Sequence, residues 1–364
     1  MCIRDRNLGG YLMNKKTIAI IFGGHSSEYS VSLESTYSLL QHINKDKYHL
    51  YLIGITHLGK WYHFDGPIEQ IIQDTWWQNN LLEVVISPNP QKHGLLEISK
   101  QGIKHIYIDA IFPILHGKNG EDGTIQGLIQ MTQIPLIGCD ILSSALCMDK
   151  AKAHNIVEHA GIRVPQSIVL NSLQELKEKE PLITQLSFPL FVKPMKAGSS
   201  YGISKITTYS ELENAVCYAF TYDNQVIIEE AILGFEVGCA IIGFDKLIVG
   251  RVDEIELSHG FFDFNEKYTL QTSKIHMPAR IDQEMEKKIQ ETAKIIYRTL
   301  GCQVFARVDM FLTPQNEIVF NEVNTIPGFT SHSRFPQMMR GIDINFEKLI
   351  DILIEMGLKH EDCY

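Results

Sequence analysis

No apolar stretch of this sequence approaches the roughly 18 residues that a membrane span requires. The N-terminus also lacks the apolar core of a secretory signal. The apolar runs that do occur, such as Thr17 to Phe22 and Ala110 to Leu115, have the length of buried strands. Cysteine is sparse: the seven residues (Cys2, Cys139, Cys147, Cys217, Cys239, Cys302, Cys363) are odd in number, scattered and without a C-x-x-C pair. That excludes a disulfide framework or a cysteine zinc site and predicts free thiols in a reducing, cytoplasmic compartment. Cys239 and Cys302 lie beside apolar stretches and read as core fillers. Excess positive charge is missing too: 33 Lys and Arg against 43 Asp and Glu give −10. This argues against nucleic acid as the main partner, while leaving room for a local basic pocket that takes a small anion. There is no internal repeat, no Walker P-loop and no Rossmann glycine fingerprint.

What is present is a globular composition, 45% hydrophobic and 21% charged over 364 residues, enough for two or three domains. The regular pattern begins only after Met13, which predicts Met13 as the native start and residues 1–12 as an extension. Strands are predicted over 17–22, 48–56 and 108–115. A glycine turn (Gly23-Gly24) leads to a helix near 30–43, and a second helix opens at Asp122-Gly123-Thr124. This order is the α/β signature, most simply a parallel sheet with helices on both faces. One amphipathic helix is predicted from Leu142 to Ala160, stopped by Gly161. Beyond it, strands at 190–194, 203–207, 225–231, 234–243, 247–256, 303–312 and 316–323 are too closely spaced for crossovers, so antiparallel α+β pairing follows. A helix spans Ile281 to Leu300, with Ile281, Met285, Ile289 and Ala293 on one face. Boundaries fall near 141 and 232.

Four segments carry chemistry. In Lys193-Pro194-Met195-Lys196-Ala197-Gly198-Ser199-Ser200-Tyr201-Gly202, glycines admit backbone N–H groups to a phosphate, and the lysines supply charge; a plain hairpin loop is the alternative. In Arg307-Val308-Asp309 and Asn321-Glu322-Val323-Asn324, residues two apart share a strand face. If the two strands are neighbours, Asp309, Glu322 and Asn324 converge as hard oxygen ligands suited to Mg²⁺, beside a guanidinium. A cross-strand salt bridge would look the same. The loop His116-Gly117-Lys118-Asn119-Gly120-Glu121-Asp122-Gly123 sits at the carboxyl end of a strand, where open α/β sheets bind ligands. There Glu121 and Asp122 could instead cap the following helix, and Glu28 could cap the earlier one. Gly260 to Tyr268 mixes aromatic and charged residues, as a lid or a packing loop does.

Taken together, HGKNGEDGTIQG, MDK at 148–150, VKPMKAGSSYG, RVDM and NEVNTIPGFTSHS resemble the D-alanine–D-alanine ligase family of the ATP-grasp fold, in the right order from about Lys16 to the end. The resemblance implies an N-terminal Rossmann-like parallel-sheet domain (13–141, substrate-binding), followed by a two-subdomain ATP-grasp fold. Residues 142–232 would be its central subdomain and 233–360 its C-terminal catalytic one. It implies ligation of two D-amino acids with ATP through an acyl phosphate, for peptidoglycan precursors. Lys150, Lys193, Ser200 and Lys267 would hold phosphates. Glu229, Glu230 and Ile232 would lie at the adenine and Glu236 at the ribose. Asp309, Glu322 and Asn324 would hold two Mg²⁺ ions, or Mn²⁺. Arg307 and the Gly328 N–H would stabilise the oxyanion. Glu28, linked through Ser199 to Tyr268, would orient the first D-alanine beside His116, and Ser333 would bind the second substrate's carboxylate. Partners would be small molecules and a second copy in a homodimer, without nucleic acid or membrane.

Three residues depart from the common pattern: Tyr29, Phe262 and Arg334. An arginine near an acceptor pocket needs a partner, and Asp253 at the end of the GRVDE segment is a candidate. The set Asp253, Phe262 and Arg334 resembles the D-alanine–D-serine ligases of glycopeptide resistance. The alternative has Arg334 turned outward into a surface salt bridge, with D-alanine as the ordinary acceptor.

Overall fold

A computed structural model describes residues 15–78, 81–198, 200–257 and 273–359. Residues 1–12, Ser199 and the 260–268 segment with Phe262, Lys267 and Tyr268 lie outside the described residues, and so does the lid expected there. The described residues form three sheets. The first has strands β1 (Lys16–Gly23), β2 (Tyr48–Ile55), β3 (Trp61–Phe64), β4 (Leu82–Ile86), β5 (Gly94–Ser99), β6 (Gly102–Tyr107) and β7 (Ala110–Ile114). Their order is 6-5-4-3-2-1-7. β1 pairs in parallel with β2 and β7, as its continuous apolar run predicts. The wholly parallel reading needs correction, because β3 to β6 extend the sheet by antiparallel pairing. Their alternation is interrupted by charge, and β6 is largely exposed, so no apolar run announces them.

The second sheet comprises β8 (Ser167–Leu170), β9 (Leu190–Pro194), β10 (Ser204–Ile206) and β11 (Val226–Glu230), in the order 10-9-11-8 and all antiparallel. The third holds β12 (Phe235–Ile242), β13 (Ile248–Leu257), β14 (Ser273–His276), β15 (Phe305–Leu312) and β16 (Ile318–Asn324), in the order 14-13-12-15-16. The predicted amphipathic helix is Gln283–Thr299. It seats Ile289, Ala293, Ile296 and Tyr297 against this sheet, while Ile281 and Met285 are only partly buried.

The packing explains where a cleft must form. One apolar cluster joins the first sheet to the third: Ile18, Phe22 and Phe112 pack with Ile242, Phe305, Phe329 and Leu349. The last helix among the described residues, Phe346–Lys359, packs on β7 and on the helix Tyr29–His42. The second sheet has a core of its own, built from residues such as Leu190, Val192, Val216 and Ile228. Among the described residues this core is separate from the other apolar clusters, which leaves its boundary with the third sheet to polar groups.

The single helix expected over 142–160 is two helices, Ile141–Met148 and Lys150–His159. Asp149 interrupts them. Its backbone is extended, and its side chain accepts from the Lys152 N–H at 3.1 Å, an N-cap in the middle of an apolar periodicity. The break sets Lys150 at the start of the second helix.

Candidate active site

The floor of the site follows from strand register. Asp253 on β13 pairs with Gly238 on β12, Gly238 with Asp309 on β15, and Asp309 with Glu322 on β16. Arg307 stands opposite Asn324 in the same way. Pairing places the carboxylates in one row on one face. Arg307 forks Asp309 with Nε at 2.8 Å and Nη2 at 2.7 Å, and Asn324 Nδ2 donates to Asp309 at 2.9 Å. Among the described residues no three His, Cys, Asp or Glu side chains converge to hold a metal by themselves. Two facing carboxylates and a carboxamide fit Mg²⁺ nonetheless, because that ion takes its remaining oxygens from phosphate and water.

Gly238 leaves space in this row. A Cβ there would lie 2.4 Å from Arg334 Nη2 and 2.7 Å from Asp253 Oδ1. The vacancy admits the Arg334 guanidinium, which donates to Asp253 through Nε (2.7 Å) and Nη2 (2.8 Å), and to Glu236 through Nη1 (2.7 Å). Asp253 is fully buried and also accepts from the Gly238 N–H. It sits within β13 rather than at its end. Arg334 is buried, so the outward-turned alternative fails. A lone buried charge is costly, and the row resolves the cost by pairing. Ser333, just before Arg334, holds its Oγ close to Gly328, where a Cβ would stand 3.1 Å away.

Beside the floor, the cleft between the second and third sheets is lined by Lys150, Lys193, Ser200, Glu229, Glu230, Ile232, Glu236 and Glu322, with Ile255 and Phe311 adding apolar surface. Lys150 donates to the Ala197 carbonyl at 2.9 Å and Lys193 to Glu229 at 2.6 Å. Burial opposes the charge on Lys193, but Glu229 outweighs it and keeps the ammonium above its usual range. Burial likewise pushes Glu229 up, and Lys193, His154 and Lys150 together hold it below the carboxylate norm.

The rim comes from loops. Glu28 makes no side-chain cap on its helix. Its carboxylate instead reaches a cradle between Gly117 and Gly198, where a Cβ would come within 2.2 Å and 2.7 Å of Oε2. Gly117 has φ +71, a backbone that few other residues adopt. His116 is buried: Nδ1 is 2.9 Å from the Ile326 carbonyl and Nε2 is 3.0 Å from Ser35 Oγ. A carbonyl only accepts, so Nδ1 carries the proton and Nε2 accepts from the serine. Burial pushes His116 down to about 4. Asp122 accepts from the Thr124 N–H at 3.0 Å, although the N-cap of the next helix is Gly123, which has no side-chain cap. Glu121 does not cap it either. It accepts from Gly117 N–H and Ile326 N–H, both at 2.9 Å, and so ties the loop to the turn after β16. Burial, with Glu28 close by, pushes its carboxyl up. Tyr29 faces away from the floor, its hydroxyl donating to Asp74 at 2.7 Å.

Comparison with known proteins bears on this arrangement. The family model described as D-ala D-ala ligase N-terminus matches residues 17–139, and D-ala D-ala ligase C-terminus matches 156–355. This chain belongs to the D-alanine–D-alanine ligase family. It is 43% identical to the vancomycin/teicoplanin A-type resistance protein VanA of Enterococcus faecium, over 95% of this chain and all of that one. To the D-alanine–D-alanine ligase of Caldicellulosiruptor bescii it is 40% identical, over 95% of this chain and 96% of that one. The solved VanG D-Ala:D-Ser ligase of Enterococcus faecalis superposes with a TM-score of 0.87 at 55% identity, covering 94% of this chain and 99% of that one. The chain is therefore a ligase of the ATP-grasp type.

Of the described residues singled out from the sequence, Lys150, Lys193, Ser200, Glu229, Glu230, Ile232, Glu236 and Glu322 line one cleft, and Arg307, Asp309, Asn324, Asp253 and Arg334 are joined by strand register and ion pairs. Three further residues enter from the structure. Glu121 lies in the HGKNGEDG segment, where residue type alone allows a cap or a ligand-binding loop. His154 lies one helical turn after Lys150 on the same face, and that spacing was the available signal. Gly238 had no sequence signal, since its neighbours come from strand pairing.

Proposed function

We propose that this ligase joins D-alanine to D-alanine through an acyl phosphate, supplying the dipeptide for peptidoglycan precursors in the cytoplasm. The register row supports the reading, because it pairs Asp309 with Glu322, which lines the same cleft as Lys150 and Lys193. The carboxylate of the first D-alanine attacks the γ-phosphate, and ADP leaves. The amine of the second attacks the acyl carbon, a proton departs, and inorganic phosphate leaves as the amide forms. Such transfer is mainly positioning and charge stabilisation. Lys150, Lys193, Ser200 and Lys267 serve the phosphates. Glu229, Glu230 and Ile232 serve the base, and Glu236 the ribose. Asp309, Glu322 and Asn324 suit two Mg²⁺ or Mn²⁺ ions, which when bound neutralise phosphate charge. Glu28, with Ser199 and Tyr268, orients the first ammonium beside His116. Arg307 and the Gly328 N–H face the developing oxyanion, and Ser333 takes the second carboxylate. Residues 13–141, 142–232 and 233–360 act as substrate, central and catalytic parts of a homodimeric enzyme without nucleic-acid or membrane partners; no helix among the described residues is long and apolar enough to cross a membrane.

A second reading has D-serine as acceptor. It is favoured by the buried Arg334–Asp253 pair, a polar pair suited to a hydroxyl. An apolar pocket barely separates serine from alanine, whereas a site built to bond a hydroxyl rejects the analogue lacking it by as much as roughly 10⁴-fold. ADP release with D-alanine alone, then with D-serine or D-lactate added, tests both. Turnover on D-alanine alone supports the first reading, a marked rise with D-serine the second, and no ADP under any condition overturns the ligase assignment.

A further inference from the structure

One turn of the second sheet grips the cleft loop from outside. The loop after β9 supplies Ala197, Gly198 and Ser200 to the cleft wall. Against it lies the turn that follows the helix Leu212–Phe220. At the start of the loop, the Lys196 N–H donates to Asp223 Oδ2 at 2.8 Å, and the Met195 N–H to the Gln225 carbonyl at 3.0 Å. At its end the Tyr222 ring presses on Gly202, where a Cβ would stand 2.6 Å from Tyr222 Cδ2. Gly202 has φ +72, so its backbone shape and its missing side chain both suit that contact. The same ring stacks on Tyr201, with centroids 6.0 Å apart and planes at 28°, and Tyr218 meets it edge-on at 5.4 Å. A tyrosine that merely finished its helix would be drawn into the core beneath it. That core is built by Ala215, Val216 and Ala219 with Leu190 and Val192, whereas Tyr222 is 43% exposed. Its ring serves the loop instead.

We propose that Tyr222 and Asp223 are positioning residues that clamp this loop at Lys196 and at Tyr201-Gly202, presetting the shape in which it meets the phosphates of ATP. The inference rests on the phosphate reading of the loop. A loop that must be ordered on binding subtracts the ordering cost from affinity, and a loop ordered beforehand does not. The gain falls on the phosphates, because Glu229 and Glu230, proposed for the base, lie at the opposite end of β11 from the clamp.

Isothermal titration of the full-length protein with ATP and Mg²⁺, and separately with adenosine, both without D-alanine, is the test, alongside melting temperature and the KM and kcat for ATP. In Tyr222→Ala the Kd for ATP is expected to rise about tenfold, with the Kd for adenosine near the parent's and KM changing more than kcat. Tyr222→Phe keeps the ring and is expected to match the parent. Asp223→Ala, which strands the Lys196 N–H, is expected to weaken ATP a few-fold, and Asp223→Asn, which keeps an acceptor, to regain most of that loss. If Tyr222→Ala does not fold, the two Asp223 variants carry the same comparison of ATP with adenosine. An unchanged Kd for ATP, an equal loss for adenosine, or a loss that the conservative variant shares overturns the proposal. A parent that binds ATP no more tightly than adenosine overturns the phosphate reading of the loop, and this inference with it.

Discussion

The floor and the rim of the site hold charged groups of the same kinds by different means. On the floor, Asp253, Gly238, Asp309 and Glu322 belong to four adjacent strands, and their alignment is a by-product of sheet register. Side chains answer side chains there: Arg307 with Asp309, Arg334 with Asp253 and Glu236. On the rim, Glu28, His116 and Glu121 come from loops, and backbone groups hold Glu121 and one nitrogen of His116, whose other nitrogen meets Ser35 Oγ. The His116–Ile326 bond alone spans 210 residues of sequence. Loss of a floor partner strands a buried charge, whereas loss of a rim partner exchanges a few backbone bonds. Effects on the floor are therefore expected to be the larger.

Arg334→Leu should break the comparison open most widely. It leaves Asp253 buried without its cation, and removing one partner of a buried pair costs about 3–5 kcal/mol. Urea unfolding measures this, and a companion double variant with Asp253→Asn is expected to recover part of the loss. Equal stability of the single and double variants would contradict the pairing. Glu322→Gln should leave the melting temperature near the parent's but cut ADP formation about a thousandfold, matching several kcal/mol of metal-borne charge stabilisation. Activity within tenfold of the parent at saturating Mg²⁺ would remove Glu322 from the metal set.

On the rim, His116 provides a pH handle. Its folded value of about 4 lies below its unfolded value of 6.5, so the unfolded chain binds the additional proton. The contribution is complete above pH 6.5 and is lost as pH falls toward 4, at most about 3 kcal/mol. Glu121, pushed up to about 8, gains stability as pH falls and offsets this in the parent. Unfolding at pH 7.5 and pH 4.5 should therefore show a smaller acid loss, or a gain, in His116→Gln relative to the parent. Glu28→Gln is expected to have the smallest effect, raising the KM for the first D-alanine about tenfold through one weakened charge-assisted bond. A change in kcat alone would remove Glu28 from substrate orientation.

The same contrast accounts for what could be read beforehand. Period-two alternation put Arg307 with Asp309 and Glu322 with Asn324 on shared faces, and only their adjacency had to be assumed. The need of a buried arginine for a partner pointed from Arg334 to Asp253. The β1 run was legible because both its faces are covered. β3 to β6 were not, since half-exposed antiparallel strands carry no continuous apolar signal. The break at Asp149 was hidden because apolar spacing continues across it while the cap acts through a single side chain. The tie from Glu121 to Ile326 was out of reach, because backbone donors leave no mark on residue type.

The most direct test of the account follows an atom. With D-alanine labelled by ¹⁸O in its carboxylate, attack on the γ-phosphate and later cleavage of the acyl C–O bond carry one labelled oxygen into the released phosphate. Mass spectrometry of inorganic phosphate after ATP turnover should therefore show one ¹⁸O per phosphate formed with dipeptide. Unlabelled phosphate accompanying the same dipeptide would contradict the acyl-phosphate route.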